Sequence, residues 1–234
     1  MAKRSRSSST NYFARRYLVE FAGTLMLVFV GVSSAIIGAP ASALTIGIAF
    51  GLILTAIVYS YEDASGGHAN PAVSIAMLAA GRLSAEDAVA YIIWQLLGGI
   101  CGAGLVALIV GLKGGAWTGI PANLGQNGYE AGMFGGYSLV PVIITEFLAT
   151  LVFTLVILNV TQGSRAMAAL AIGLTLIALH LAFFNVDGLS VNPARSFGPA
   201  VFVQGKALTQ VWVFLLVPVI AGAVAGWLSR EKIA

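Results

Sequence analysis

Asparagine, proline and alanine stand in a row twice in this chain of 234 residues, as Asn70-Pro71-Ala72 and as Asn192-Pro193-Ala194. An asparagine amide donates and accepts hydrogen bonds without carrying charge, so a pair of them suits a neutral polar solute rather than acid–base chemistry. Arg195 follows the second triplet directly, while His180 lies twelve residues before Asn192 and Phe50 twenty before Asn70. A fixed cation, an imidazole and an aromatic ring at one level would make a narrow polar constriction. Glu20 and Glu146 lie inside apolar stretches, each opening the pattern Glu-Phe-x-x-Thr. An acid in such surroundings is by default a functional candidate, here a proton relay. Their matched positions favour the other reading, in which each carboxylate braces irregular backbone by accepting its N–H groups. No nucleophile–base pair and no metal-ligand cluster accompanies these residues, which argues against an enzyme, a cofactor or a bound metal.

The elements that must position these residues follow from composition. Hydrophobic residues make up 59% of the chain and charged residues 9%, against about 25% charged in a soluble domain. With a mean hydropathy of +0.93, most of the chain has lipid as its natural solvent. A spanning helix needs about 20 apolar residues, and six stretches approach this: 14–37, 42–60, 88–111, 138–160, 166–186 and 208–229. The first is too long for the apolar region of a signal peptide. Six spans bring both chain ends to one face, which the positive-inside rule makes cytoplasmic. Lys3, Arg4, Arg6, Arg15, Arg16, Arg82, Arg165, Arg230 and Lys232 all fall on the ends or on connections at that face. The Ser-rich residues 1–12 read as a disordered cytoplasmic tail and 13–234 as one transmembrane domain in the cell membrane. The net charge of +3 is bunched near the start instead of forming a basic stripe, so nucleic acid is excluded as a partner.

The chain also repeats itself. The Glu-Phe-x-x-Thr pattern recurs at an offset of 126 and the Asn-Pro-Ala triplet at an offset of 122. Two halves, about 13–111 and 138–229, are thus joined by an extracellular loop. Three spans per half insert the second upside down relative to the first. About ten helix-compatible residues follow each Pro, roughly 15 Å of helix, which is half the bilayer core. Asn suits the N-cap and Pro the first helical position, so each triplet starts a half-length helix. The preceding residues are too irregular for helix and expose the carbonyls of Gly66, Gly67 and His68 and of Gly188, Leu189 and Ser190. Non-helical backbone at this depth is tolerated where it is buried in protein or lines a water-filled cavity.

These segments, Ser65-Gly66-Gly67-His68-x-Asn70-Pro71-Ala72-Val73 and Ser190-Val191-Asn192-Pro193-Ala194-Arg195-Ser196, resemble the aquaporin (major intrinsic protein) family, most closely its water-selective bacterial members. The resemblance covers nearly all of the chain after residue 15. It implies an all-α membrane fold of six spans and two re-entrant half-helices, and a homotetramer with one pore per subunit. Water is then the permeant and membrane lipid the surroundings. The resemblance further implies a filter of Phe50, His180, Leu189 and Arg195, with Leu189 departing from the usual Thr, Cys or Ala. Glycerol, ammonia or peroxide as further permeants is the alternative. A coupled secondary transporter shares the architecture but would need an ion site that the sequence does not supply. Gly98, Gly99, Gly102, Gly104, Gly222 and Gly226 favour rigid close packing instead.

Overall fold

Long apolar runs in lipid must satisfy every backbone N–H and C=O internally, and helices do this within one segment. The computed structural model describes residues 4–38 and 41–232 and contains eight helices: α1 (Arg4–Ile36), α2 (Ala43–Ser65), α3 (Pro71–Ala79), α4 (Ala85–Gly111), α5 (Leu139–Val160), α6 (Arg165–Asp187), α7 (Pro193–Val203) and α8 (Gly205–Arg230). Six of them, all but α3 and α7, are long and apolar enough to cross a membrane. Helix α1 begins at Arg4, inside the segment expected to be a disordered tail. No Gly or Pro interrupts residues 4–16, so the backbone of the first span continues unbroken towards the N-terminus. The apolar part of α1 starts at Arg15. Residues 1–3 of the expected tail lie outside the described residues.

Short helices α3 and α7 have nine and eleven residues, about 14 and 17 Å at 1.5 Å per residue. Neither crosses a core of about 30 Å. Both are buried against full-length helices, α3 against α8 and α7 against α4 and α8. The approach is close because Gly222 faces the Ala72 carbonyl and Gly99 faces the Ala194 carbonyl, where a Cβ would overlap the oxygen. These two contacts are counterparts across the repeat, and each presses a long helix onto the first turn of a half-helix. Elsewhere α1 packs on α4, and α2 packs on α6. Arg16 and Tyr17 on α1 bond Asp87 on α4 (3.0 and 3.1 Å), tying these helices together near the face that carries both chain ends.

Outward-facing positions such as Leu52, Ile93, Leu148, Leu174 and Ile220 are large, apolar and exposed, the reverse of a soluble surface and suited to contact with lipid. Inside, the apolar core surrounds a cluster of buried polar groups. Those groups form the candidate site.

Candidate functional site

Asn70 and Asn192 both have extended backbone and cap the helices that follow them. Asn70 Oδ1 accepts from Ala72 N–H at 2.8 Å, and Asn192 Oδ1 accepts from Ala194 N–H at 3.0 Å and Arg195 N–H at 3.2 Å. Pro71 and Pro193 occupy the first helical positions, where their missing N–H costs nothing. Each amide then reaches across the repeat: Asn70 Nδ2 donates to the Val191 carbonyl (2.8 Å) and Asn192 Nδ2 to the Ala69 carbonyl (2.9 Å). The two loops therefore clasp each other at their tips. One N–H of each amide is used in this way; the second remains for the cavity that both asparagines line.

Those carbonyls are presented by unusual backbone. Ala69 and Val191 both have φ of +47° and Leu189 has +40°, a region that costs free energy for residues bearing a Cβ, most of all for β-branched Val. The bracing carboxylates hold it in place. Glu20 accepts from Ser65 Oγ (2.6 Å), His68 N–H (2.9 Å), Ala69 N–H (2.8 Å) and Gln95 Nε2 (2.8 Å). Glu146 accepts from Ser190 N–H (2.6 Å) and Val191 N–H (2.9 Å). Both carboxylates are fully buried, and backbone donors of the loops occupy their oxygens.

Towards the face opposite the chain ends, three side chains converge. Phe50 and His180 stack with ring centroids 5.1 Å apart, and the Arg195 guanidinium carbon lies 5.1 Å from the centre of the Phe50 ring. Arg195 Nη1 donates to the Gly125 carbonyl (2.6 Å) and Nη2 to the Gly188 carbonyl (3.3 Å), while Nε meets no protein partner. His180 Nδ1 bonds the Leu176 carbonyl at 2.9 Å. A carbonyl can only accept, so Nδ1 carries the hydrogen and Nε2, buried and unpartnered, is left as an acceptor in the neutral ring. An unpartnered donor and an unpartnered acceptor thus sit on two residues that line the same cavity.

Two cavities lie inside the molecule and share Leu54, His68 and Phe153 as wall residues. One is lined by Phe50, His180, Arg195, Ser190, Val191 and both asparagines, the other by Gly66, Gly67, Val58 and Ile157 among others. Each offers about 20 Å³ to the centre of a water-sized sphere, where one water needs about 10–15 Å³. Beyond Arg195 the space widens to about 190 Å³ in a vestibule bordered by Asn123, Gly125 and Phe134.

Chain comparison decides the family. The Major intrinsic protein family model matches residues 7–229. The chain belongs to the major intrinsic protein family. It is 41% identical over 222 residues to the glycerol uptake facilitator protein-like 6 of Lactiplantibacillus plantarum, a match covering 92% of this chain and 97% of that one. It is 39% identical over 228 residues to aquaporin Z of Bradyrhizobium diazoefficiens, covering 93% and 94%. Its fold is shared with the aquaglyceroporin from Plasmodium falciparum at 22% identity and a TM-score of 0.81, covering 95% of this chain and 97% of that one. As a member of this family, the protein is an integral membrane channel for water or small solutes and not an enzyme.

Of the expected wall carbonyls in the second loop, that of Gly188 accepts from Arg195, and Ser190 and Val191 line the cavity. Leu189, expected in the filter, is not among the residues that line either cavity; it has a left-handed φ of +40°, and its N–H donates to Asp187 Oδ1 (2.9 Å). Sequence reasoning missed Gln95, Gly125 and Asp187. Gln95 and Gly125 act on partners 75 and 70 residues away, beyond the reach of local pattern. Asp187 had a usable signal, since it stands at the repeat position of Ser65.

Proposed function

We propose that this channel is water-selective and conducts water in single file, excluding protons, ions and glycerol. The observation that carries the reading is the constriction itself. Phe50, His180 and Arg195 line a cavity of about 20 Å³, room for about one water, and carry one unpartnered donor, Arg195 Nε, and one unpartnered acceptor, His180 Nε2. A water molecule can satisfy both. Glycerol is wider and would have to displace the imidazole from its stack on Phe50. At the centre, α3 and α7 point their N-termini at one another and place about half a positive charge from each near the asparagines. That opposes cations. The free amide hydrogens of Asn70 and Asn192 can donate to one water from opposite sides, so both of its own hydrogens turn away and the proton-hopping chain is interrupted. Carbonyls of the loops replace lost hydration, and Leu54, Phe153 and Leu176 keep the remaining wall apolar.

The name of the Lactiplantibacillus relative favours a second reading, in which glycerol also passes. Against it stands His180 in the constriction. Osmotic shrinkage of proteoliposomes in sucrose and in glycerol separates the two. Rapid shrinkage in both, with no re-swelling in glycerol, is expected; re-swelling faster than in protein-free vesicles would favour the glycerol reading. Both termini are placed in the cytoplasm by the distribution of Lys and Arg, and the assembly is a homotetramer with one pore per subunit, as the family likeness implies. Glu20 and Glu146 serve as loop braces rather than proton relays, because backbone N–H groups already occupy them.

A further inference from the structure

The two halves brace their re-entrant loops with different chemistry, and the difference falls at one residue. Glu20 receives four donors, from Ser65, His68, Ala69 and Gln95. Glu146 receives the N–H groups of Ser190 and Val191, the counterparts of His68 and Ala69 at the 122-residue offset. The matched contacts of Gly99 and Gly222 make Pro218 the counterpart of Gln95, and a proline side chain offers no donor. The counterpart of Ser65 is Asp187. Each is the last residue of its helix, followed by a glycine cap with left-handed backbone.

Ser65 performs two tasks: its Oγ accepts from Gly67 N–H at 3.1 Å and donates to Glu20 at 2.6 Å. Asp187 Oδ1 performs the first by accepting from Leu189 N–H at 2.9 Å. Asp187 is fully buried, its side chain lies within hydrogen-bonding reach of Glu146, and its Oδ2 meets no donor. Two ionised carboxylates here would face each other acceptor to acceptor. The charged groups that act on Asp187 are Glu146 from α5 and Arg195 from α7. One cation cannot compensate two adjacent buried anions, and an uncompensated buried charge is strongly destabilising.

We propose that Asp187 is a neutral carboxylic acid whose Oδ2–H donates to Glu146, one proton being held between the two side chains, and that this pair positions the outer filter loop. Arg195 then balances the Glu146 carboxylate and the group is neutral overall. Asp187 is a positioning residue: through Glu146 it fixes Ser190 and Val191, which line the same cavity as Phe50 and His180. The second task of Ser65, donating to the bracing glutamate, is carried by an acid proton instead of a hydroxyl.

The positioning part rests on the pore reading given above; the placement of the proton does not. Infrared spectroscopy of the full-length protein in lipid vesicles at neutral pH reads the proton, and vesicle shrinkage at matched protein density reads the loop. The wild type is expected to show the carbonyl stretch of a buried protonated carboxyl, and Asp187→Ser to lose it. Asp187→Ser, which copies Ser65, is expected to keep water flux and glycerol exclusion at the wild-type level, whereas Asp187→Ala, lacking a donor, loses flux relative to it. No such band in the wild type, or its persistence in Asp187→Ser, overturns the shared proton. Low flux through a folded serine form, or equal flux through the serine and alanine forms, overturns the positioning role; should the alanine form not fold, the serine form decides. If the wild type carried no water at all, the infrared result would still stand, so the two failures are distinguishable.

Discussion

At the scale of residues, selectivity comes down to which polar atoms are left without protein partners. His180 spends Nδ1 on its own helix and leaves Nε2 without a partner, and Arg195 spends both terminal nitrogens on carbonyls and leaves Nε without one. Because the guanidinium is tied at two points, it cannot swing aside to admit a larger solute. The imidazole is the part of the constriction that can be removed without disturbing those ties. We therefore expect His180→Ala to admit glycerol in re-swelling assays while water still passes, with no glycerol flux in the wild type. Leu189 was legible as a departure from the family pattern but not as a buried residue, because a left-handed φ at a non-glycine position depends on what surrounds the loop. Its absence from the walls of both cavities gives a second expectation. In a Cys101→Ser background, Leu189→Cys should conduct water and ignore mercurials, and inhibition by mercury would put the side chain back in the pore.

At the scale of elements, the half-helices do two separable things: they start in mid-membrane, and they aim positive ends at the pore centre. Replacing Asn70 and Asn192 together by Asp separates them. Aspartate is as good an N-cap as asparagine, so α3 and α7 still begin where they do, but two anions replace two neutral amides at the centre and the two bonds that Nδ2 donates across the loops are lost. Cation leak through reconstituted vesicles, read with a potential-sensitive dye, is expected to rise; wild-type tightness in the folded double variant would remove the helix ends from the barrier. Packing is the other requirement. Gly222→Val puts a side chain against the Ala72 carbonyl, and overpacking of this kind costs about 1–3 kcal/mol, so the melting temperature in detergent should fall. The spans, the half-helices and their inverted relation were readable because hydropathy, Asn-Pro and the two offsets are local signals. The clasp between the loops was not, since Asn70 and Val191 are 121 residues apart and nothing local states that one amide N–H is spent there. The helical start at Arg4 was hidden for a different reason, Ser-rich composition outweighing the absence of a helix breaker.

At the scale of the whole molecule, the proposed central barrier draws on both halves of the inverted repeat while the proposed filter comes from one end only. Among the described residues, Phe50, His180 and Arg195 have no matching triad in the second cavity, which is walled by Gly66, Gly67, His68, Thr161 and apolar residues. The channel is therefore symmetric in how it opposes charge and asymmetric in how it measures size. A rigid path of this kind predicts passive flow that follows the osmotic gradient and does not saturate. The central claim is that water passes while protons do not, and one measurement addresses both halves of it. Proteoliposomes loaded with a pH-sensitive dye are given an osmotic step and a pH step in the same stopped-flow instrument, and both rates are followed as protein density is raised. The account predicts that water flux climbs with protein density at a low activation energy while the proton rate stays at that of protein-free vesicles; a proton rate that climbs in step with protein would contradict it.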